Sequence, residues 1–286
     1  MAKLYVVATP IGNLQDFSPR GIETLRTADL IVAEDTRVTM KLCQVFEIHT
    51  RLTSCHRHNE DTKGLRIAEQ IAEENLTAAL TTDAGTPCIS DPGNELVQAC
   101  LDRNVEVIPV PGCCAGIAAL SISGFDAREF AFYGFLPRGK KELREKLTEI
   151  ARGPRVALIH ESPFRMSDLL EAMNEVMPQA RLTVCCDLTK MHEKTRYGSP
   201  AEVLAELKAD EKAEKGEYCL AVELKNVPAP PVGNEAEEME RSLESQLVEL
   251  MKGGASLREA QEALICGGEK KNAVKQAALT LKKLFE

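Results

Sequence analysis

Short apolar runs alternate with stretches of helical period through the first 135 residues. Residues 4–8, 30–33, 77–80 and 105–110 are apolar enough to be buried strands, and 130–134 reads as one more. Between them lie helical segments. Ser18-Pro19 opens one that runs to about Arg26, and 36–46 and 95–103 are two others. Residues 60–74 carry Leu65, Ala68, Ile71 and Ala72 at helical spacing, and 115–121 is small and apolar. This alternation predicts an α/β fold built on a largely parallel sheet with helices on both faces. After a linker at 135–141 the pattern restarts, with helices over 140–151, 166–176 and 200–208 and strands over 155–160, 181–186 and 218–224. The expected organisation is an α/β domain over 1–135, a second α/β domain over 136–225, a Pro-rich linker over 226–234, and a helical extension over 235–286. In the extension, Ser256 and Glu259 form a capping box, Gly267-Gly268 breaks the helix, and 270–285 starts another. Its last helices read equally as a helix-turn-helix or as a plain helical hairpin.

Composition narrows the class. With 44% hydrophobic and 28% charged residues, the 286-residue chain is an ordinary globular one. No apolar run reaches the ~18 residues of a membrane span. The N-terminus leads directly into a strand, so the cytoplasm is the expected compartment. Ten cysteines include no C-x-x-C and no zinc-ligand spacing, so reduced core thiols are expected and no metal site. The net charge of −9 does not mark a polyanion binder, although a local basic surface can still hold one.

Candidate chemistry sits at the strand ends. Asp83 to Gly93 crowds two glycines, two prolines, two aspartates and two hydroxyls after the strand at 77–80. In open α/β sheets the carboxyl ends of strands are where ligands bind. Ser90 to Gly93 also reads as a helix start, with Asp91 as cap and Pro92 at the first position. The loop after the first strand, through Pro10 and Gly12, lacks G-x-G-x-x-G, and no Walker lysine occurs, which disfavours NAD and ATP. Pro111-Gly112-Cys113-Cys114-Ala115 makes a third Gly/Pro turn on the same expected edge. Glu34-Asp35-Thr36-Arg37, the polar run from His56 through Asn59 to Glu60, and Glu161 to Arg165 follow other strands. Leu188 to Arg196 and the group Arg138, Lys140, Lys141 and Arg144 are basic, and the run at 190–196 favours an anionic substrate.

Taken in order, these segments resemble the ribosomal RNA small subunit methyltransferase I family of the tetrapyrrole methylase superfamily. The resemblance rests on Val7 to Leu14, Ala33 to Arg37, His56 with Asn59-Glu60, Asp83 to Pro87 with Ser90 to Gly93, and Pro111-Gly112. It continues through Ser123-Gly124, Gly134 to Pro137, Glu161 to Arg165, and Leu188 to Lys190 with His192-Glu193, so that it spans about 1–225. Cys113-Cys114 stands where the family often has Pro-Ser, and Phe164 where His is common.

The resemblance implies a class III methyltransferase with S-adenosyl-L-methionine folded into a cleft between two α/β domains, and a homodimer. It implies 2′-O-methylation of a cytidine ribose in the decoding region of 16S rRNA, with the 30S subunit as partner. Cofactor contacts are expected at Pro10, Gly12, Asp83, Gly85, Thr86, Ser90, Cys114, Ala115 and Phe164, with main-chain atoms of Ala221 and Val222 beside the adenine. Glu34, Asp35 and Glu193 are the expected base or orienter, and Arg37 and Lys190 hold phosphate or oxyanion. Substrate contacts are expected at His56, Asn59, Glu60, Arg138, Lys140, Lys141, Arg165, His192 and Arg196, and basic residues at 270–283 also face RNA. The rival readings are a tetrapyrrole or diphthine-type methyltransferase on the same scaffold, and a non-catalytic RNA-binding module.

Overall fold

Five strands, β1 (Lys3–Val7), β2 (Leu30–Ala33), β3 (Leu52–Ser54), β4 (Thr77–Thr81) and β5 (Glu106–Val110), form a parallel sheet in the order β3-β2-β4-β1-β5. This is a computed structural model that describes residues 1–57, 59–225, 227, 243–252, 255–267 and 269–285. The expected linker at 226–234 (Val227 apart), the start of the extension at 235–242, His58 and Gly268 lie outside the described residues.

Helices α1 (Pro19–Thr27), α2 (Thr36–Val45), α3 (Leu65–Glu73) and α4 (Asn94–Leu101) connect these strands. Strand alternation divides the core between the two faces. Leu4, Val32, Ala78 and Leu80 pack with Ile67, Ile71 and Leu96 of α3 and α4, while Val7, Ile31 and Ala79 pack with Leu25 and Cys43 of α1 and α2. All carboxyl ends of a parallel sheet share one edge, so five strand-to-helix loops converge there. The polar run at 60–64 is a single π turn (Glu60–Gly64) ahead of α3.

Helix α5 (Ala115–Ile122) leaves the first sheet and packs on the second. That second sheet holds β6 (Phe130–Phe135), β7 (Val156–Glu161), β8 (Arg181–Cys186), β9 (Lys194–Gly198) and β10 (Tyr218–Glu223), in the order β6-β7-β10-β8-β9. Only β6 and β7 are parallel; the other neighbours are antiparallel. Helices α6 (Lys140–Ile150), α7 (Met166–Val176) and α8 (Pro200–Lys208) cover one face through Leu147, Leu170, Met173 and Val203. On the other face Ala119 lies against Cys185 and Cys219, and Leu120 against Leu158 and Ala221. The small residues of α5 let one helix pack closely on this sheet, which joins both halves into one compact unit over Met1–Pro228. The adjacent thiols divide as strand geometry requires, with Cys185 facing α5 and Cys186 the opposite core.

Ala229–Glu286 forms a unit of its own. Its described helices α9 (Leu243–Lys252), α10 (Leu257–Cys266) and α11 (Lys271–Phe285) close around Leu247, Ala260, Val274 and Ala277. Ser256 and Glu259 make both hydrogen bonds of the capping box.

Candidate active site

The loops at the carboxyl edge of the first sheet are tied to one another by main-chain hydrogen bonds. Thr9 and Gly85 exchange N–H to O=C bonds of 2.8 and 3.1 Å. Gly85 has φ +85°, a conformation that disfavours any side chain. Thr9 Oγ1 donates to Thr82 O at 3.2 Å, and Thr86 Oγ1 donates to Cys113 O at 2.8 Å. Pro10, Gly12, Asp83, Gly85, Thr86, Cys114 and Ala115 are thereby gathered on the loops of one edge, and Cys114 is the N-cap position of α5.

Carboxylates concentrate on this edge. Thr82 Oγ1 donates to Glu34 Oε2 at 2.6 Å, and the Asp35 amide donates to Asp83 Oδ1 at 3.1 Å. Burial, reinforced by Glu34, pushes the Asp83 carboxyl up. Asp91 is pushed up to about 6, first by burial and then by Glu34, against the opposing effects of Thr82 and Arg57. Of the two readings open to residues 90–93, the one with Asp91 as helix cap does not hold. The chain bends through Ser90 at φ +69° and Gly93 at φ +131°, and Gly93 takes the N-cap position of α4. The side chain of Asp91 is thus left facing Glu34 and Thr82. Sequence reading missed it because Asp-Pro before a helix has so ready a structural explanation; a second acidic residue at the same strand end was the available signal.

Asp35 is engaged by its own helix and by Arg37. It caps α2 and is gripped by Arg37 through bonds of 2.6 to 3.1 Å, which hold its carboxyl down at about 2. The same grip occupies the Arg37 guanidinium.

The second half of the unit supplies the facing wall. A Cβ on Gly12 would lie 2.5 Å from Lys190 Cγ, 2.8 Å from Thr189 Oγ1 and 3.1 Å from Leu188 O, so the β1 loop can approach the 188–190 loop only through a glycine. Lys190 Nζ bonds Asp187 Oδ1 at 2.9 Å and Glu217 Oε2 at 3.0 Å. Burial pulls this ammonium down, but the two carboxylates outweigh it and the net shift is upward. Glu193 accepts the Thr189 amide at 2.6 Å and so braces the same loop. Asp187 and Thr189 have φ of +53° and +67°, an uncommon conformation for side-chain-bearing residues and one that clusters at binding sites. Thr189 Oγ1 is buried without a hydrogen-bond partner, an orphan facing the Gly12 loop. On the other flank, a Cβ on Gly134 would lie 2.9 Å from Ser90 Oγ. Phe135 and Phe164 are exposed at the carboxyl ends of β6 and β7.

Several of the expected site residues are engaged within the fold itself. Glu60 is 5% exposed, and its Oε1 accepts the amides of Gly93 at 2.7 Å and Glu95 at 2.9 Å, so it holds the start of α4. Arg196 is 8% exposed and bonded to Asp210 at 2.5 Å, an internal pair. Arg165 donates inward to the carbonyls of Leu136 and Pro137. Ala221 and Val222 lie in the middle of the sheet, opposite Leu158 and Ala157, and β10 runs antiparallel to β7. Tyr218 is the residue opposite Glu161, so Ala221 sits about 10 Å along the strand from that edge. His56 and Asn59 bond one another, His56 N to Asn59 Oδ1 at 2.9 Å and Asn59 Nδ2 with His56 Nε2 at 3.1 Å. Arg138, Lys140, Lys141 and His192 are exposed. Among the described residues no cluster of His, Cys, Asp and Glu could hold a metal ion, and no helix is long and apolar enough to cross a membrane.

Comparison with known proteins gives this edge its context. The family described as Tetrapyrrole (Corrin/Porphyrin) Methylases matches residues 3–204. A protein of Escherichia coli O157:H7 named Ribosomal RNA small subunit methyltransferase I is 40% identical over 281 residues, covering 97% of this chain and 94% of its own. The protein of that name from Pseudomonas aeruginosa is 39% identical over 278 residues, 96% of each chain. The chain belongs to the ribosomal RNA small subunit methyltransferase I family. The Halalkalibacterium halodurans member is 44% identical over 220 residues, 77% of this chain and 75% of its own. Solved structures support the same fold. Diphthine synthase superposes with a TM-score of 0.58 at 14% identity, covering 79% of this chain and 90% of its own. Cobalt precorrin-4 methyltransferase gives 0.56 at 16%, covering 77% and 94%. In this member of the ribosomal RNA small subunit methyltransferase I family, Cys113 contributes its carbonyl to the loop network, so the Cys113-Cys114 departure leaves the backbone frame intact.

Proposed function

We propose that this protein transfers the methyl group of S-adenosyl-L-methionine to the 2′-oxygen of a cytidine ribose in the decoding region of 16S rRNA. It works in the cytoplasm, as a homodimer, on the 30S subunit. The observation that carries this reading is similarity over nearly the whole chain to proteins named for methylation of small-subunit rRNA. The donor set fits the cofactor. The loops lack a phosphate-wrapping motif, and a wall of carboxylates suits a ligand bearing an ammonium and a sulfonium. The orphaned Thr189 Oγ1 supplies a further polar contact. Pro10, Gly12, Asp83, Gly85, Thr86, Ser90, Cys114, Ala115 and Phe164 are the residues that would hold it. When bound, it supplies an electrophilic methyl group on sulfur.

The chain's own contribution is to place the ribose hydroxyl and receive its proton. Asp91 is the carboxylate best matched to that proton near neutral pH. Glu34, itself held by Thr82, raises its proton affinity, while Glu193 and Lys190 keep the facing loop in place. Exposed Arg138, Lys140, Lys141 and His192, with the basic residues at 270–283, contact the RNA backbone.

Methyl-labelled cofactor and unmodified 30S subunits test the reading. Alkali cleaves RNA through free 2′-hydroxyls, so label in an alkali-resistant dinucleotide establishes 2′-O-methylation. Label in mononucleotides means base methylation. No transfer, with the cofactor still bound, favours a tetrapyrrole or diphthine-type substrate, and no cofactor binding favours a non-catalytic RNA-binding module.

A further inference from the structure

The connection between β6 and α6 is held by one side chain from another element. Arg165, in the 3-10 turn after β7, donates Nη2 to Pro137 O at 2.7 Å and Nη1 and Nη2 to Leu136 O at 3.3 and 3.4 Å. The same guanidinium lies 3.3 Å from Glu161 Oε2, on a carboxylate whose side chain is fully buried and whose Oε1 accepts the Ser162 amide at 2.7 Å. Leu136 is buried in the core beside Leu143 and Leu147, while Pro137 and Arg138 are exposed. The chain therefore turns from core to surface where the Arg165 fork grips it. Arg138, Lys140 and Lys141 follow directly, a few residues past Gly134, which packs on Ser90 of the cleft loop.

We propose that Arg165 is a positioning residue. With Glu161 it fixes the strap at 136–139, and so aims the basic run at 138–141 toward RNA bound at the mouth of the cleft. This role rests on the proposed rRNA substrate. The planar guanidinium bonds two carbonyls while lying within ion-pair range of a buried carboxylate, whereas an ammonium cannot reproduce that fork. Charge and geometry can therefore be separated by substitution. A direct phosphate contact by Arg165 would tolerate lysine; a strap-holding role would not.

The test measures steady-state methyl transfer to 30S subunits by the full chain and by Arg165→Lys, Arg138→Ala and their double variant, with cofactor affinity measured alongside. Arg165→Lys is expected to raise KM for the subunit about tenfold, the worth of one hydrogen bond to a charged group. Its kcat and cofactor affinity should stay within about twofold of the wild type. The double variant should raise KM by less than the product of the single effects, because both act through the same strap. Should lysine unbalance the fold, Glu161→Gln with Arg165→Met removes both charges together and leaves no buried ion unpaired; the same KM rise is expected. An unchanged KM in either variant, or a fully multiplicative double variant, overturns the positioning role. Wild-type protein that leaves 30S subunits unmethylated overturns the rRNA reading itself, and the strap's purpose with it.

Discussion

Glu34 and Asp83 brace each other across two strand ends. Glu34 Oε2 accepts the Asp83 amide at 3.5 Å, and Asp83 Oδ1 accepts the amide of the residue after Glu34 at 3.1 Å. Each carboxylate thus helps hold the other's loop, and the acidity of the edge is built into its geometry. Asp91 faces this pair, and burial first, then Glu34, pushes its carboxyl up to about 6.

Asp91→Asn should lower kcat by about 10²–10⁴-fold, the usual worth of a general base, with cofactor affinity preserved. Asp35→Ala should leave kcat near the wild-type value and cost only the helix cap, about 1 kcal/mol. Single-turnover methyl transfer and urea unfolding of both variants check this pair. The reverse order of kcat values would return the base role to Asp35.

The pH dependence of stability has a definite sign at Asp91. Its folded pKa of about 6 lies above its ordinary value of 3.8, so the folded state holds the proton more tightly. The resulting stabilisation is complete below about pH 4 and is lost as pH rises through 6. Urea midpoints should therefore show Asp91→Asn gaining on the wild type between pH 4 and 7, and equal to it below. Asp35, Asp126 and Asp210, held at about 2, act in the opposite sense and only as pH falls below 4.

Glu60→Ala should destabilise the fold by about 1–3 kcal/mol, because the amides of Gly93 and Glu95 lose their shared acceptor in a buried site. Glu60→Gln keeps a carbonyl in place and should cost less. Chemical denaturation of the two variants measures the difference.

Gly12→Ala should weaken cofactor binding by tenfold or more while leaving the core intact. The added Cβ would be driven into Lys190 and Thr189, and the main-chain oxygen of Leu188 at 3.1 Å cannot move aside as a side chain can. Calorimetric titration with S-adenosyl-L-methionine, set beside the melting temperature, separates loss of binding from loss of fold.

Much of this architecture was written in local pattern. Hydrophobic runs at β1, β2, β4 and β5, and the caps at Ser18 and Ser256, specify their elements through contacts a few residues apart, so the chain alone reveals them. The parallel sheet followed from their alternation, and its carboxyl edge from the parallel sheet. What the chain alone did not reveal depends on distant partners. Short β3 and polar β9 are strands because neighbouring strands complete them, not because their own residues favour it. Arg165 and Arg196 look like any exposed cation in sequence, and only folding set Leu136, Pro137 and Asp210 against them. Asp91 looked like a helix cap until Ser90 and Gly93 turned the backbone and placed it beside Glu34. Residue type and spacing determined which loops would gather at one edge. The tertiary structure decided which of their charges are spent on holding the fold and which remain for chemistry, because a charge is neutralised by what lies near it in space.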